Sequence, residues 1–419
     1  MKTFVIAILA LLGSTAAMAA QDSSHALIQQ GEYLARAGDC VACHTAKGGK
    51  PFAGGLAMET PIGLIYSTNI TPDKSGIGDY SFEDFDKAVR HGIAKNGSTL
   101  YPAMPYPSYA RVNQADMQAL YAYFMNGVKP VAQENQAVDI PWPMSMRWPL
   151  AMWRWMFAPA VEDFTPVAQQ DPVVSRGAYL VEGLGHCGAC HTPRALTMQE
   201  KALSATDGST FLSGSAPLES WIAKNLRGDH KDGLGSWNEA QLVQFLKTGR
   251  SDRSAVFGGM SDVIVHSMQY MSEADLTAIA RYLKSLPAVD SADKPHQYDP
   301  AVADALWNGD DSKRGAAVYI DNCAACHRTD GNGYTRVFPA LAGNPVLQSE
   351  DPTSLIHIVL KGATLPATHT APSTFTMPAF DWRLSDQEVA DVVNFIRTSW
   401  GNQAGEVKAT DVKGLRSDK

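Results

Sequence analysis

Apolar residues recur with helical spacing three times, at matching places along the chain. Met117, Leu120, Tyr121 and Phe124 stand at i, i+3, i+4 and i+7. Leu276, Ile279, Ala280 and Leu283 repeat the spacing, and so do Val389, Val392, Val393 and Ile396. Such a pattern lines one face of a helix with apolar side chains. Asn113, Ser272 and Ser385 stand where N-caps belong. Ser272 with Asp275, and Ser385 with Glu388, resemble capping boxes. A shorter helical stretch with a glycine and a tyrosine opens each copy: Gly31-Glu32-Tyr33-Leu34, Gly177-Ala178-Tyr179-Leu180 and Gly315-Ala316-Ala317-Val318-Tyr319. The chain therefore reads as one helical domain repeated three times.

Composition places the boundaries. The apolar run from Phe4 to Leu12 and the small residues Ser14 to Ala20 predict a signal peptide over 1–19, with Ala17-Met18-Ala19 as cleavage site. The run is too short for a bilayer span, which needs about 20 residues. Domains are expected over 26–130, 173–287 and 312–400. A segment rich in proline and tryptophan, 131–172, and a polar one, 288–311, read as linkers, and 401–419 reads as a mobile hydrophilic tail. The 419 residues suit two to four domains by size. Charged residues make up 19% and the formal charge is −8, which argues against a nucleic-acid partner.

The six cysteines carry the chemistry. All six fall in three copies of Cys-x-x-Cys-His: Cys40, Cys43 and His44; Cys187, Cys190 and His191; Cys323, Cys326 and His327. This is the attachment signature of c-type haem: two thiols form thioethers and the histidine becomes the proximal iron ligand. A disulfide framework would not explain a histidine after every second cysteine. A thioredoxin-like reading lacks a βαβ setting, and the pairs lie too far apart for a zinc finger. Three covalently bound haem c groups are therefore expected.

Each iron needs a ligand on its other face. Methionine suits electron transfer, because its thioether favours the reduced iron. Met104, within Pro102-Ala103-Met104-Pro105, and Met377, before Pro378, lie between motif and last helix in stretches stiffened by proline. In the second copy Met260, after Phe257-Gly258-Gly259, is favoured over Met268, while Met271 reads as a staple beside Ser272. Core filling is the alternative for each methionine. His91, His266 and His369 leave bis-histidine ligation open. The first two copies also share an intervening pattern, Asn69-Ile70-x-x-Asp73 before Gly76-Ile77-Gly78 and Asn225-Leu226-x-x-Asp229 before Gly233-Leu234-Gly235. Asn69 and Asn225 either contact haem propionates or hold the loop through Asx-turns.

Beyond these motifs the strings are specific. They include Tyr33-Leu34-Ala35-Arg36-x-Gly38-Asp39-Cys40, Ile65-Tyr66-Ser67-Thr68-Asn69-Ile70-Thr71-Pro72, Leu100-Tyr101-Pro102-Ala103-Met104-Pro105, His186-Cys187-Gly188-Ala189-Cys190-His191-Thr192-Pro193-Arg194 and Val393-Asn394-Phe395-Ile396-Arg397-Thr398-Ser399-Trp400. From Gly31 to Trp400 the chain resembles the three-haem cytochrome c subunit of bacterial membrane-bound dehydrogenases, those of gluconate, alcohol and sorbitol or fructose. The resemblance implies an all-α fold of three tandem class I cytochrome c domains, with Met104, Met260 and Met377 as axial ligands. It implies electron flow from a catalytic subunit to ubiquinone, a small third subunit, and a peripheral place on the periplasmic face of the inner membrane. The catalytic partner is a flavoprotein in gluconate dehydrogenases and a PQQ protein in quinoprotein alcohol dehydrogenases. The latter's cytochromes typically extend further past the last helix than Lys419, which tilts the reading towards gluconate.

No Gly-x-Gly-x-x-Gly after a strand offers a dinucleotide site, so the chain reads as non-catalytic alone. A soluble multi-haem shuttle and a haem peroxidase are the rival classes. One segment carries more than a linker needs. Four of the nine tryptophans, Trp142, Trp148, Trp153 and Trp155, lie between Pro141 and Phe157, interleaved with Arg147, Arg154 and Met144, Met146, Met152 and Met156. Such residues suit a partner interface or a membrane surface; packing across the neighbouring cores is the alternative. Trp153 and Trp155 cannot share one helix face, so one of them is expected to be exposed.

Overall fold

A computed structural model describes residues 23–218 and 220–417; the expected signal peptide lies outside the described residues. The described chain groups into two compact units that part between Thr165 and Pro166. The first unit holds one Cys-x-x-Cys-His motif and the second holds two.

In the first unit a helix through residues 23–37 (α1) leads into the one-turn helix α2 (Cys40–Cys43). An antiparallel hairpin follows, β1 (Ala57–Thr60) with β2 (Gly63–Tyr66), Ala57 facing Tyr66. Then come α3 (Phe82–His91), α4 (Tyr106–Tyr109), α5 (Gln114–Asn126) and α6 (Trp148–Phe157). In the second unit α7 (Pro172–Tyr179) runs into a π-helical turn, followed by α8 (Gly188–His191), α9 (Glu239–Thr248), α10 (Met260–His266) and α11 (Glu273–Ser285). The third repeat adds α12 (Ala301–Trp307), α13 (Ala316–Asn322), α14 (Ala324–His327), α15 (Pro345–Gln348) and α16 (Thr353–Lys361). A second small hairpin, β3 (Ala363–Thr364) with β4 (Thr376–Met377), precedes α17 (Asp386–Arg397) and α18 (Ala409–Ser417). The fold is thus mostly helical, with two short hairpins that the apolar pattern did not announce.

The repeated glycine explains how each repeat closes. A Cβ on Gly31 would lie 1.9 Å from the Ala119 carbonyl oxygen of α5. The same addition at Gly177 would lie 2.0 Å from Ala278 O of α11, and at Gly315 2.2 Å from Asp391 O of α17. The first and last helices cross backbone to backbone there, and only glycine fits. The residue before each glycine ties the crossing to an acid on the last helix. Gln30 Nε2 donates to Asp116 at 3.0 Å, Arg176 grips Asp275 with two bonds of 2.8 and 2.9 Å, and Arg314 pairs with Asp391 at 2.8 Å. The apolar faces of the last helices are buried as their periodicity predicts, from Met117 and Leu120 to Val392 and Val393, except for the half-buried Tyr121.

The capping expectations resolve differently at each site. Ser385 and Glu388 form the full capping box. Ser272 Oγ accepts from the Asp275 amide at 3.1 Å, while the Asp275 carboxylate also holds Arg176. Asn113 opens α5 with no capping bond from its side chain.

Both linkers and the tail are more structured than their composition suggests. Ile140 is buried, Asp139 exchanges backbone bonds with Leu64, and Asp163 pairs with Arg90, so residues 131–165 wrap the first unit. Within 288–311, α12 sends Leu306 into the core of the third repeat. The expected mobile tail instead contains α18. Val412 is fully buried, and Arg416 holds Asp386 at 2.6 Å and the Leu384 carbonyl at 2.8 Å. A hydrophilic segment with two inward valines and one well-placed arginine is enough to dock.

Gly177→Ala provides a sign test of the crossing. In an open helix that change stabilises by up to about 1 kcal/mol. Here it should destabilise by roughly 1–3 kcal/mol or more, because backbone atoms cannot yield. Denaturant unfolding of the variant checks this; a rise in midpoint would refute the close crossing.

Candidate haem-binding sites

Each Cys-x-x-Cys-His motif winds into one helical turn. His44, His191 and His327 donate their amides to the carbonyls of Cys40, Cys187 and Cys323 at 3.0, 2.9 and 2.9 Å. First cysteine and histidine stand four apart, on one face of the turn. Burial pushes the thiols of Cys40, Cys187 and Cys323 up to about 12, so they are uncharged.

The second ring nitrogen fixes the chemistry of each histidine. His44 Nδ1 lies 2.7 Å from the Thr68 carbonyl oxygen, His191 Nδ1 2.7 Å from Lys224 O, and His327 Nδ1 3.0 Å from Pro339 O. A carbonyl only accepts, so Nδ1 carries the proton and Nε2 keeps its lone pair. Burial also pushes all three imidazoles towards the neutral form. A neutral, oriented imidazole with Nε2 available, on the same turn as two thiols, fits a covalently held haem with a proximal histidine.

The conserved spacing of Asn69 and Asn225 within the chain has a structural cause. Each follows the residue whose carbonyl holds the histidine. Asn69 Oδ1 accepts from the Thr71 amide at 2.9 Å, and its Nδ2 faces Val131 O, Gln133 O and Ser75 Oγ at 2.8, 3.1 and 3.2 Å. Asn225 Oδ1 accepts from the Arg227 amide at 2.8 Å, and its Nδ2 donates to Asp229 and Asp232 at 2.8 and 3.2 Å. Both amide groups have protein acceptors, as the Asx-turn alternative expects: these residues hold the loop that holds the histidine.

The methionines separate by burial. Met268 and Met271 lie inside the core of the second repeat. Met260 is half-buried at the start of α10, after Gly258, whose φ of 67° lets the backbone lie flat against the Trp221 indole. Met104 and Met377 are also half-buried. The Met104 loop is braced from the former linker: Arg147 lies 4.3 Å over the Tyr101 ring and donates to Thr99 O at 2.5 Å, while Trp153 meets Tyr106 edge-on. Met377 sits in β4, opposite Ala363. Of the alternative histidines, His91 lies 3.8 Å from Asp86, His369 is edge-on to Tyr270, and His266 ends α10. Trp155 is 80% exposed while Trp153 packs on Phe157 and Tyr106, so the two tryptophans do face different ways.

The sequence offered no pointer to Glu200. Its Oε2 is buried without a hydrogen-bond partner, 2.5 Å from where a Cβ on Gly188 of the second motif would lie. Burial pushes this carboxyl from 4.5 up to about 7, against the pull of Arg194.

Comparison with known proteins bears on the same residues. The family model for cytochrome c matches residues 28–127 and 312–400. The chain is 64% identical, over all of its length and 96% of the relative's, to a gluconate 2-dehydrogenase cytochrome c subunit of Pantoea cypripedii. It is 58% identical, over 99% of its length and 89% of the relative's, to an alcohol dehydrogenase (quinone) cytochrome c subunit of Komagataeibacter europaeus. A fructose dehydrogenase cytochrome subunit of Gluconobacter japonicus is 39% identical over 93% of the chain and 82% of its own length.

Glu200 generates a pH prediction. Its folded pKa lies above its unfolded one, so between pH 4.5 and about 7 the folded chain binds more protons. Stability should therefore fall as pH rises through that window and level off above it. Glu200→Gln should remove this component, read as a flatter plot of denaturant midpoint against pH. An unchanged plot would show that the carboxyl is not buried in solution.

Proposed function

The chain belongs to the family of cytochrome c subunits of gluconate 2-dehydrogenase and alcohol dehydrogenase complexes, and from that membership we infer how its residues perform electron transfer. Three haem c groups are held through Cys40 and Cys43, Cys187 and Cys190, and Cys323 and Cys326. Haem c, when bound, supplies a one-electron couple at each site. His44, His191 and His327 would ligate the irons through Nε2, and Met104, Met260 and Met377 would supply the other ligand at each. The observation that carries this reading is the carbonyl on each Nδ1, which commits every motif histidine to the same tautomer. The three haem-bearing domains follow the repeats, 26–130, 173–287 and 312–400.

Electrons enter from a catalytic dehydrogenase subunit, one at a time, and leave to ubiquinone. The gluconate type, with a flavoprotein partner and a small third subunit, is favoured by the higher identity, 64% against 58%. The PQQ-dependent alcohol dehydrogenase cytochrome is the second reading. The chain acts at the periplasmic face of the inner membrane. Among the described residues no helix is long and apolar enough to cross a membrane, and in this reading attachment is peripheral. The α6 surface suits that task. Trp142 and Trp155 are 80% exposed and Trp148 64%, beside exposed Met144, Met152 and Met156. Residues 141–160 contain two arginines and no acid, in a chain of net charge −8. Indole and methionine at the headgroup level, with arginine towards anionic lipid, fit a bilayer surface.

Three ligand variants test the relay. Met104→Ala, Met260→Ala and Met377→Ala should each add carbon monoxide binding to one ferrous haem and lower one potential, while Met268→Ala changes neither. A pyridine haemochrome assay should give three haems per chain in every case. If Met268→Ala opens an iron and Met260→Ala does not, the second ligand is misassigned. Trp148→Ser with Trp155→Ser should leave haem content and reduction intact and weaken sedimentation with anionic vesicles. Normal vesicle binding with impaired complex assembly would assign the surface to a protein partner instead.

A further inference from the structure

The second and third repeats meet through the chain that carries Met377. Residues 363–377 form a hairpin. Ala363 pairs with Met377 and Thr364 with Thr376 at its base, and the Leu365 amide donates to Phe375 O at 2.9 Å. The turn beyond is closed by Thr368 and Ala371, whose amides bond each other's carbonyls. Gly362 lets the base close: a Cβ there would lie 2.4 Å from the Met377 carbonyl oxygen.

The tip of this hairpin is gripped by the second repeat. Arg250, just past the end of α9 in the second repeat, is buried and reaches across. Its guanidinium donates to Ser373 O at 2.5 Å, with Ala371 O and Pro366 O at 3.4 and 3.5 Å. The same group lies 5.3 Å from the centre of the Phe375 ring, two residues from Met377. Gln269 of the second repeat adds a bond, its Oε1 accepting from the His369 amide at 3.0 Å. Without this buried cation the Ser373 oxygen would lose a charge-assisted donor, and the two more distant carbonyls the positive charge they face.

We propose that Arg250 is a positioning residue for Met377: the second repeat clamps the axial-ligand hairpin of the third, so the ligand strength at the third iron is set from the neighbouring repeat. This rests on the reading of Met377 as axial ligand. The side chain that does the work belongs to no haem motif and lies ten residues before Met260. The two ligand segments of the second unit are therefore mechanically joined.

Arg250→Gln tests the clamp, with Met377→Ala beside it. Haem content should be unchanged in both. Arg250→Gln should weaken the near-infrared band of methionine-bound ferric haem and speed carbon monoxide binding to one ferrous haem by roughly tenfold or more, the fold-change one charge-assisted hydrogen bond is worth. Arg250→Lys, which keeps charge but loses the planar fork, should fall between. In a Met377→Ala background Arg250→Gln should add nothing, because both act on one ligand. If Met377→Ala itself opens no iron, the ligand reading fails and the clamp with it. If Met377→Ala opens an iron while Arg250→Gln leaves band and rate at wild type, or adds a further effect in the double variant, the clamp is overturned and the ligand stands. Should the Arg250 variants not fold, hydrogen exchange of the unaltered protein decides. The Leu365 amide should open only together with α9, and its separate, earlier exchange would overturn the proposal.

Discussion

A backbone carbonyl on each motif histidine is the contact that the rest of the architecture serves. It comes from a loop 24, 33 or 12 residues downstream. A typical hydrogen bond of this kind is worth only about 1 kcal/mol net, yet leaving the ring N–H buried and unpaired costs about 1–3. The loop must therefore be in place whenever the histidine is. In the first two repeats the following asparagine secures that loop, with every amide hydrogen spent on the protein. In the third, the carbonyl belongs to Pro339, the asparagine pattern is absent, and a loop of half the span suffices.

Around this contact the helices act as a frame. Each repeat brings its first helix across its last at a glycine, with a polar pair beside it. That crossing leads into the turn of the Cys-x-x-Cys-His motif, at once in the first and third repeats and through the π-helical turn in the second. The segments proposed to carry the distal ligands are held less locally. Arg147, from a stretch that looks like a linker, braces the Met104 loop, and Arg250, from another repeat, grips the Met377 hairpin. In the first repeat, chain with the composition of a linker braces a proposed ligand loop.

Much of this was legible beforehand, because it depends on residue type. Cysteine and histidine spacing named the cofactor, helical periodicity placed the last helices, and the repeated glycine marked something shared. What escaped were features that live in the backbone or in long-range pairing. No residue type announces that Thr68, Lys224 or Pro339 offers a carbonyl. Asn69 and Asn225 were visible as a pattern, but their partners, among them Val131 and Gln133, lie some sixty residues on in the first repeat. Composition misjudged residues 401–417 because two buried valines, Val407 and Val412, are too few to register as a pattern. Glu200 gave no signal because its significance is burial of a carboxylate oxygen with no hydrogen bond.

The position of α6 has a consequence for how this subunit responds to being covered. Trp153 and Arg147 reach the Tyr101–Tyr106 loop from beneath, while Trp148 and Trp155 point outward from the same ten-residue helix. Anything seated on those indoles removes water within one helix diameter of the segment bearing Met104. Lower local dielectric disfavours the extra positive charge of an oxidised centre. On the proposed function, docking and redox tuning are then one event: the driving force for passing an electron through the first site would depend on whether the surface beside it is occupied.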